Sequence, residues 1–570
     1  MSENEVHYNP LACEESSTYE LVGTPSYPSE IDGCVSSFEM SFNYKRTDID
    51  NRCRETVSEG SDTVTVEIGY NPSVTTSRTV ESTYNYNGLE IEYSVTQTKL
   101  DAKITAKYNV TSTSNPTRIL SSTTSIYSME VDGIAQPSAT SSYTFSTTGE
   151  HTVVYTLKYP GSISNDSFFY CDMLTSCEIG SGVTNVGKSI FGRCGNLSSI
   201  TVDAGNTIYD SRNSCDAIIE TETNVLITGC KDTVIPNTVT SIGEQAFNYC
   251  INLTSIDIPN SITSIGDKAF GNCSGLTSCT IGSGVTSIGI ESFRDCSGLT
   301  SIVIPDSVTT IGNTCFGYCK KLTACTIGSG VTSIGTGAFY WSGIKSITIP
   351  DGVTSIGDNT FFNCTSLTSC TIGSGVTTIG NTAFQSCALR NIVIPNNVTT
   401  IDSSFYWCDS LTAATIGSGA TNISTGAFNR CSGLTSITID NANPVYDSRS
   451  NCNAVVETST NKLILGCKRT VIPNTVTSIG PRAFDRCEKL TSIVIPDSIT
   501  YIGDDAFNLC WNLESITSSS ITAPTIEYTS FYGIKSGGTL TVPSGSSGYD
   551  VWMGTSSYYL GKYNWTKVEQ

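Results

Sequence analysis

The sequence predicts a mainly β fold with short helical or 3-10 turns: a long solenoid, preceded by small β-sandwich modules and closed by a C-terminal cap. Two observations carry this. A phrase keeps returning, cleanest at residues 240–258 as TSIGEQAFNYCINLTSIDI, and the Ile that opens it recurs at a spacing of 22 or 23 residues from Ile242 through Ile265, Ile288, Ile311, Ile334, Ile356, Ile379 and Ile401 to Ile423, then at Ile479 and Ile502. A period in this range belongs to stacked units, none of which can bury its apolar side except against its neighbours. The repeat is flanked by a strand-rich front and by a turn-rich tail after Ile516 in which the phrase dissolves.

Residues 1–19 are polar, acidic and without pattern, and are expected to form a flexible tail. Residues 20–100 contain SSFEMSFNY, DTVTVEIGY, SRTVESTYNYNG and LEIEYSVTQT, β-rich stretches separated by turn residues. The closing GLEIEYSVTQT is similar to the last strand of BACON-type β-sandwich modules. Residues 101–160 give a second β unit, best described as an Ig-like sandwich short of strands, with Val131-Asp132-Gly133 as a hairpin corner and Gly149-Glu150 as a tight turn.

The solenoid is expected over residues 161–516. In each unit the strand L-T-S-I-x-I sends two Ile inward, as Ile256 and Ile258, and leaves Ser255 and Asp257 outside. An I-P-D-S or I-G-S-G corner follows, where Pro fixes φ and Gly permits a positive φ. Pro259, Pro305, Pro350 and Pro395 interleave with Gly282, Gly328, Gly373 and Gly417, so the duplicated unit is a pair of turns. V-T-S-I-G then leads into a short helical or 3-10 turn that buries a Phe and a Cys. Roughly fifteen such turns at about 4.8 Å each would make a rod ~70 Å long.

Twenty-four cysteines invite a disulfide reading. Eleven of them, Cys194, Cys250, Cys273, Cys296, Cys319, Cys364, Cys387, Cys408, Cys431, Cys487 and Cys510, fall three residues after a unit's Phe. Cys177, Cys279, Cys325 and Cys370 replace an inward Ile. Parallel Cβ vectors suit small apolar residues stacked in ladders better than bridges, and a zinc site needs ligands converging from several segments. Two longer insertions, 200–243 and 437–480, match each other closely and are expected to add one or two shorter turns without breaking the stack. Within the second, Asp440, Asn441 and Asn443 could mimic a calcium loop, but a turn-rich corner is the better reading. The tail, residues 517–570, contains TLTVP and several Trp and Tyr, and is expected to cover the open end with packed aromatics.

The units resemble the BspA-like class of leucine-rich repeats, found on gut and oral bacteria, in some parasites and in phages of gut bacteria. The resemblance rests on the T-S-I-G…A-F…C…L-T-S-I-x-I phrase over residues 161–516 and implies a leucine-rich-repeat solenoid. The tail likewise resembles the terminal cap of this family. A role follows from the resemblance only by analogy.

Composition narrows the function classes. Charged residues make up only 15% and the net charge is −21, with 17 acidic against 6 basic residues in the first hundred. Such a chain lacks the basic footprint that nucleic acid or an anionic membrane requires. No stretch reaches 18 consecutive apolar residues, so no membrane insertion is expected. The start MSENEVHYNP lacks a Sec signal's basic and apolar regions, and Pro10 spoils Leu11-Ala12-Cys13 as a lipoprotein site. Two histidines, His7 and His151, leave little material for nucleophile–histidine or histidine–metal sites, and no phosphate-cradling loop occurs. The expectation is a protein without cofactor, metal or catalytic residues. Two carboxylates would suffice for a carbohydrate-active enzyme, the third alternative, yet the inward ladder offers none.

What varies between near-identical turns is the dipeptide between Phe and Cys. Its aromatics, Tyr249, Tyr318, Tyr340, Trp341, Phe362, Tyr406 and Trp407, are expected to face solvent as a stripe along one flank, suited to flat contact with sugars or proteins. Lateral packing is the structural alternative. The expected function is adhesion by a phage virion component, its N-terminal β modules docked on other virion proteins and its solenoid presented to host or mucus glycans or proteins. The alternative is a bacterial cell-surface adhesin. A homo-oligomer is left open, since no heptads specify one.

Overall fold

The computed structural model describes residues 16–27, 30–32, 37–49, 55–67, 77–98, 102–158, 161–555 and 558–570. The tail expected over 1–19 lies almost wholly outside them. At the front, an antiparallel sheet of Ser16–Ser26, Ser37–Ile49 and Glu55–Glu67 faces a mixed sheet in which Leu89–Thr98 pairs parallel with Glu30–Asp32 and antiparallel with Ser77–Tyr86. Alternate residues of the two sheets, Met40, Phe42 and Val66 against Leu89, Ile91, Tyr93 and Val95, meet in a small separate core.

Residues 102–158 do something the sequence did not announce. Lys103–Val110, Ile126–Val131, Ile134–Ala135 and Gly149–Leu157 form one antiparallel sheet, and Lys103–Val110 also pairs antiparallel with Leu174–Ile179, the first long strand of the solenoid. The sheet passes into the parallel ladder through Ser199–Val202, and Tyr108, Tyr155, Phe168 and Phe191 belong to one core. The stretch expected to be an independent Ig-like unit is therefore the solenoid's N-terminal cap. A parallel stack leaves an open edge at each end, and an antiparallel sheet added in register closes it.

Each turn of the solenoid, of which there are about 18, has three sides. The first is a strand such as Ser255–Ile258, whose residues alternate exposed and buried. The second is a two-residue strand such as Ser264–Ile265, and these run unbroken from Ser241–Ile242 to Asn422–Ile423. The third is a limb of consecutive turns in which alternate amides bond to the next coil. Lys268, Phe270 and Asn272 donate to Ile290, Ser292 and Arg294, while Ala269, Gly271 and Cys273 donate back within their own coil. Among the described residues the 3-10 helices lie elsewhere, at Arg212–Ser214, Arg449–Asn451 and Leu560–Tyr563.

The core is a set of ladders. Phe rings from Phe247 to Phe428 stack 5.0–5.4 Å apart and within 16° of parallel. Threonine recurs because its hydroxyl and its amide both bond the same carbonyl one turn back, as Thr286 does to Thr263 at 3.0 and 2.8 Å. Every cysteine among the described residues is a free thiol. Cys279, Cys325 and Cys370, at inward strand positions, are half-buried.

The alternating corners have a steric cause. A Cβ on Gly284 would lie 2.0 Å from the Asn260 carbonyl oxygen, and one on Gly330 1.9 Å from that of Asp306. The expectation that these glycines serve a positive φ is wrong. Their φ values are ordinary, and they are glycine because the I-G-S-G corner lies flat on the I-P-D-S corner beneath it. The Asp306 carboxylate accepts the Ser329 amide at 2.6 Å, Asp351 that of Ser374 at 2.6 Å, and the Asn396 amide oxygen that of Ser418 at 3.1 Å.

The two insertions are antiparallel elements instead of short extra turns. Tyr209–Asp210, Ala217–Glu220 and Val225–Gly229 zigzag before the parallel ladder resumes, and Tyr446–Asp447, Val455–Glu457 and Lys462–Leu465 repeat the arrangement. Arg212 grips Asp210 and the Asn224 amide oxygen, and Arg449 grips Asp447 and Asn461 in the same way. The second insertion ends the Phe247–Phe428 stack; a new one starts at Phe484, seated on Gly466. Asn443 spends its side chain on the backbone, donating to Gly417 and Ala420 and accepting from Val445 and Tyr446, as a corner residue should. At the far end, Tyr549, Trp552 and Trp565 are buried in the cap, with indole N–H groups donating to the Pro524 and Lys535 carbonyls.

Candidate functional site

The limb carries the dipeptide between Phe and Cys, and the fold treats its two positions differently. The second residue of each pair is left-handed, with φ of 61° at Tyr249 and Tyr318, 56° at Trp341 and 61° at Trp407. Asn272 and Asn363 occupy the same position in other turns, where asparagine is the cheap choice. A bulky ring there costs about 1 kcal/mol of backbone strain. Tyr340, Phe362 and Tyr406 hold the first position, outside the left-handed region.

Of the seven candidate aromatics, Trp341 and Trp407 are exposed, at 41% and 45%, whereas Tyr249, Tyr318, Tyr340, Phe362 and Tyr406 are half-buried. Lateral packing thus takes part of the surface that the sequence reading gave to solvent. Nor do the seven make one stripe. Tyr318, Tyr340, Trp341 and Phe362 form a continuous island: Tyr340 stacks on Phe362 at 5.0 Å and 11°, and Tyr318 lies 5.4 Å from Tyr340 and 6.4 Å from Trp341. Tyr406 and Trp407 form a second island, with rings 6.3 Å apart and nearly perpendicular. Tyr249 joins a third with Phe169.

Arginine on aromatic faces is the feature that sequence reasoning missed. Arg193 lies 4.9 Å over Tyr170 and 5.2 Å over Tyr249, Arg294 lies 5.4 Å over Tyr318, and Arg430 lies 4.9 Å over Trp407. Arg294 and Arg430 stand in the variable column itself, and Phe168-Phe169-Tyr170-Cys171 already reads as its first member, so the signal was present. Burial and the neighbouring Tyr340 phenol raise the Tyr318 pKa, which keeps that hydroxyl neutral and a hydrogen-bond donor.

Four stretches of the chain, 138–227, 227–342, 332–454 and 464–553, match the family model of the BspA type leucine rich repeat region. The chain belongs to the BspA-type leucine-rich-repeat family. Similar solved structures include a leucine-rich repeat protein from Bacteroides ovatus ATCC 8483, 23% identical, covering 63% of this chain and 98% of that one with a TM-score of 0.43. A leucine rich cell surface protein from Faecalibacterium prausnitzii A2-165 is 26% identical over 64% of this chain and 93% of that one, with a TM-score of 0.35. A T. pallidum leucine rich repeat protein is 26% identical over 33% and 88%, with a TM-score of 0.28. No curated protein matches the chain.

Proposed function

We propose that this BspA-type protein is a non-enzymatic adhesion and recognition protein whose solenoid flank holds host-surface or mucus glycans or proteins. One observation carries the reading. Trp341 is exposed in a strained left-handed conformation at the head of the Tyr318–Tyr340–Phe362 island. Strain kept where a cheaper residue is used in sister turns points to a role outside folding, and rigid aromatic clusters are the anchors of recognition surfaces. Family membership supports adhesion in general terms.

The test uses the full chain carrying Tyr340→Ser, Trp341→Asn and Phe362→Ser together. Adhesion to mucin-coated surfaces and to intact gut bacteria is expected to fall at least tenfold with an unchanged unfolding transition. Undiminished adhesion would overturn the reading.

The place of display forms part of the proposal: a phage particle, with the N-terminal β units docked on other virion proteins and a bacterial cell surface as the alternative. What favours the particle is the thiol population. Buried free cysteines throughout the core suit a chain that folds in a reducing cytoplasm before release. Mass spectrometry of purified particles against washed envelopes decides it, and recovery in envelopes alone would exclude the virion.

A further inference from the structure

We infer that Trp407 forms one wall of a binding site for a neutral saccharide, seated on the indole face opposite Arg430. This rests on the reading of the flank as a recognition surface and narrows it to one place and one ligand class.

The two faces of the indole differ. Arg430, from the following coil, covers one at 4.9 Å. The preceding coil, whose Ser386 amide bonds the Tyr406 carbonyl at 3.1 Å, sets a serine in the column beside the other face, and the coil before that sets Asn363 there. A local shortening deepens the gap. One residue, Ala388, separates Cys387 from Leu389, where two separate Cys364 from Leu367 and Cys408 from Leu411. The result is an open depression of about 380 Å3, lined by Trp407, Asn363, Ser386, Ala388, Asp409 and Ser410. Its volume lies in the range of small-ligand sites, roughly 300–1,000 Å3.

Its chemistry is that of a sugar platform. A pyranose offers a face of polarised C–H groups and a rim of hydroxyls. The negative π-face of an indole takes the first, and the rim needs groups able to donate and accept. The side chains of Asn363, Ser386 and Ser410 have no hydrogen-bond partner among the described residues, and the Asp409 carboxylate uses one oxygen on Ser432 at 2.8 Å and keeps the other. Besides Trp407 the apolar lining is small, Cys387 and Ala388, which suits a sugar edge better than a bulky apolar peptide side chain. Asp409 and the net charge of −21 disfavour sialylated or sulfated sugars.

The test titrates the full chain with methyl β-galactoside, methyl α-mannoside and chitobiose, with sialyllactose as the charged control, by saturation-transfer NMR and calorimetry. At least one neutral sugar is expected to bind with its ring C–H protons saturated most strongly. Trp407→Ala should weaken that binding at least tenfold. Ser386→Trp should do the same by filling the depression, and it keeps the fold because the same left-handed position already holds Trp in two other turns. Val303→Ser, at an exposed position on the strand side of the coil, should leave it unchanged. Absence of binding by every neutral sugar, or binding indifferent to both Trp407→Ala and Ser386→Trp, overturns the site. If the Tyr340, Trp341 and Phe362 substitutions still abolish adhesion in that case, the flank reading survives and only the Trp407 site falls.

Discussion

The thiol of Cys296 donates to the main-chain carbonyl of Phe270, 3.1 Å away in the preceding coil. The same bond joins Cys273 to Phe247, Cys319 to Phe293, Cys387 to Phe361 and Cys431 to Phe405. The carbonyls of Phe247, Phe270, Phe293 and Phe361 already accept the amide of their own coil's Cys, so the thiol from the next coil fills the second lone pair. Burial pushes the Cys296 pKa well up, which keeps the proton in place and the sulfur unreactive. Cys296→Ala removes a weak bond and leaves a small void, and should cost about 1–2 kcal/mol in denaturant unfolding. Iodoacetamide at pH 8, read by peptide mass spectrometry, should label Cys296 only after guanidinium is added.

The paired corners make a sharper prediction. Gly330→Ala places a methyl where the Asp306 carbonyl oxygen sits, 1.9 Å from the new carbon, and backbone cannot swing aside as a side chain can. The two coils must part, at a cost of about 3 kcal/mol or more. Hydrogen exchange should quicken at the Thr332 and Ser329 amides, which bond back to Thr309 and Asp306. Asp306→Asn keeps the acceptor, as Asn396 does in a sister corner, and should leave stability unchanged.

These ladders mark how far the sequence could be read. Inward Ile, Phe and Cys were legible because burial imposes a period, and a period survives in a linear string. The I-G-S-G glycines, Gly282 and Gly328 among them, were placed at the right corner for the wrong reason, since clearance between coils is set by stacking and leaves no trace in composition. The left-handed backbone at Trp341 and Trp407 was hidden likewise: a residue that is expensive there gives no local sign of its φ. The cap at 102–158 looked like a separate domain because strand patterns do not say which sheet a strand joins. The candidate residues were found by their variability, but their division into islands depends on which rings share adjacent coils.

The insertions carry a matched pair of buried-edge ion pairs, and either copy controls for the other. Arg449 bonds both Asp447 oxygens through Nε and Nη2 at 2.7–3.0 Å and the Asn461 oxygen through Nη1 at 2.7 Å. Lysine cannot span that fork. Arg449→Lys should cost about 1–2 kcal/mol and raise exchange at Val456 and Leu463, with Ile219 and Leu226 of the first copy unaffected.

The N-terminal cap supplies a pH dependence whose sign follows from two hydrogen bonds. His151 Nδ1 lies 2.7 Å from the Asp132 carboxylate and Nε2 lies 2.9 Å from the Thr147 carbonyl, two acceptors that favour the protonated ring, in which both nitrogens donate. Burial alone would lower the His151 pKa, but the Asp132 hydrogen bond, the Thr147 carbonyl and the Asp132 charge outweigh it and raise it. Burial likewise works against the Asp132 carboxylate, and the bonds from His151 and the Thr152 amide override it and lower its pKa. A raised histidine contributes stability in full below its unfolded pKa of about 6.5, and the contribution disappears as pH rises through the folded value. A lowered aspartate contributes above about 3.9 and is lost as pH falls through its folded value. The cap is therefore most stable between about pH 4 and 6.5. Hydrogen exchange at the Val153 and Tyr155 amides, corrected for intrinsic rate, should show protection falling from pH 6 to 8. His151→Gln, which keeps a donor for Asp132 and cannot titrate, should flatten that slope, and an unchanged slope in the variant would assign the pH dependence to another group.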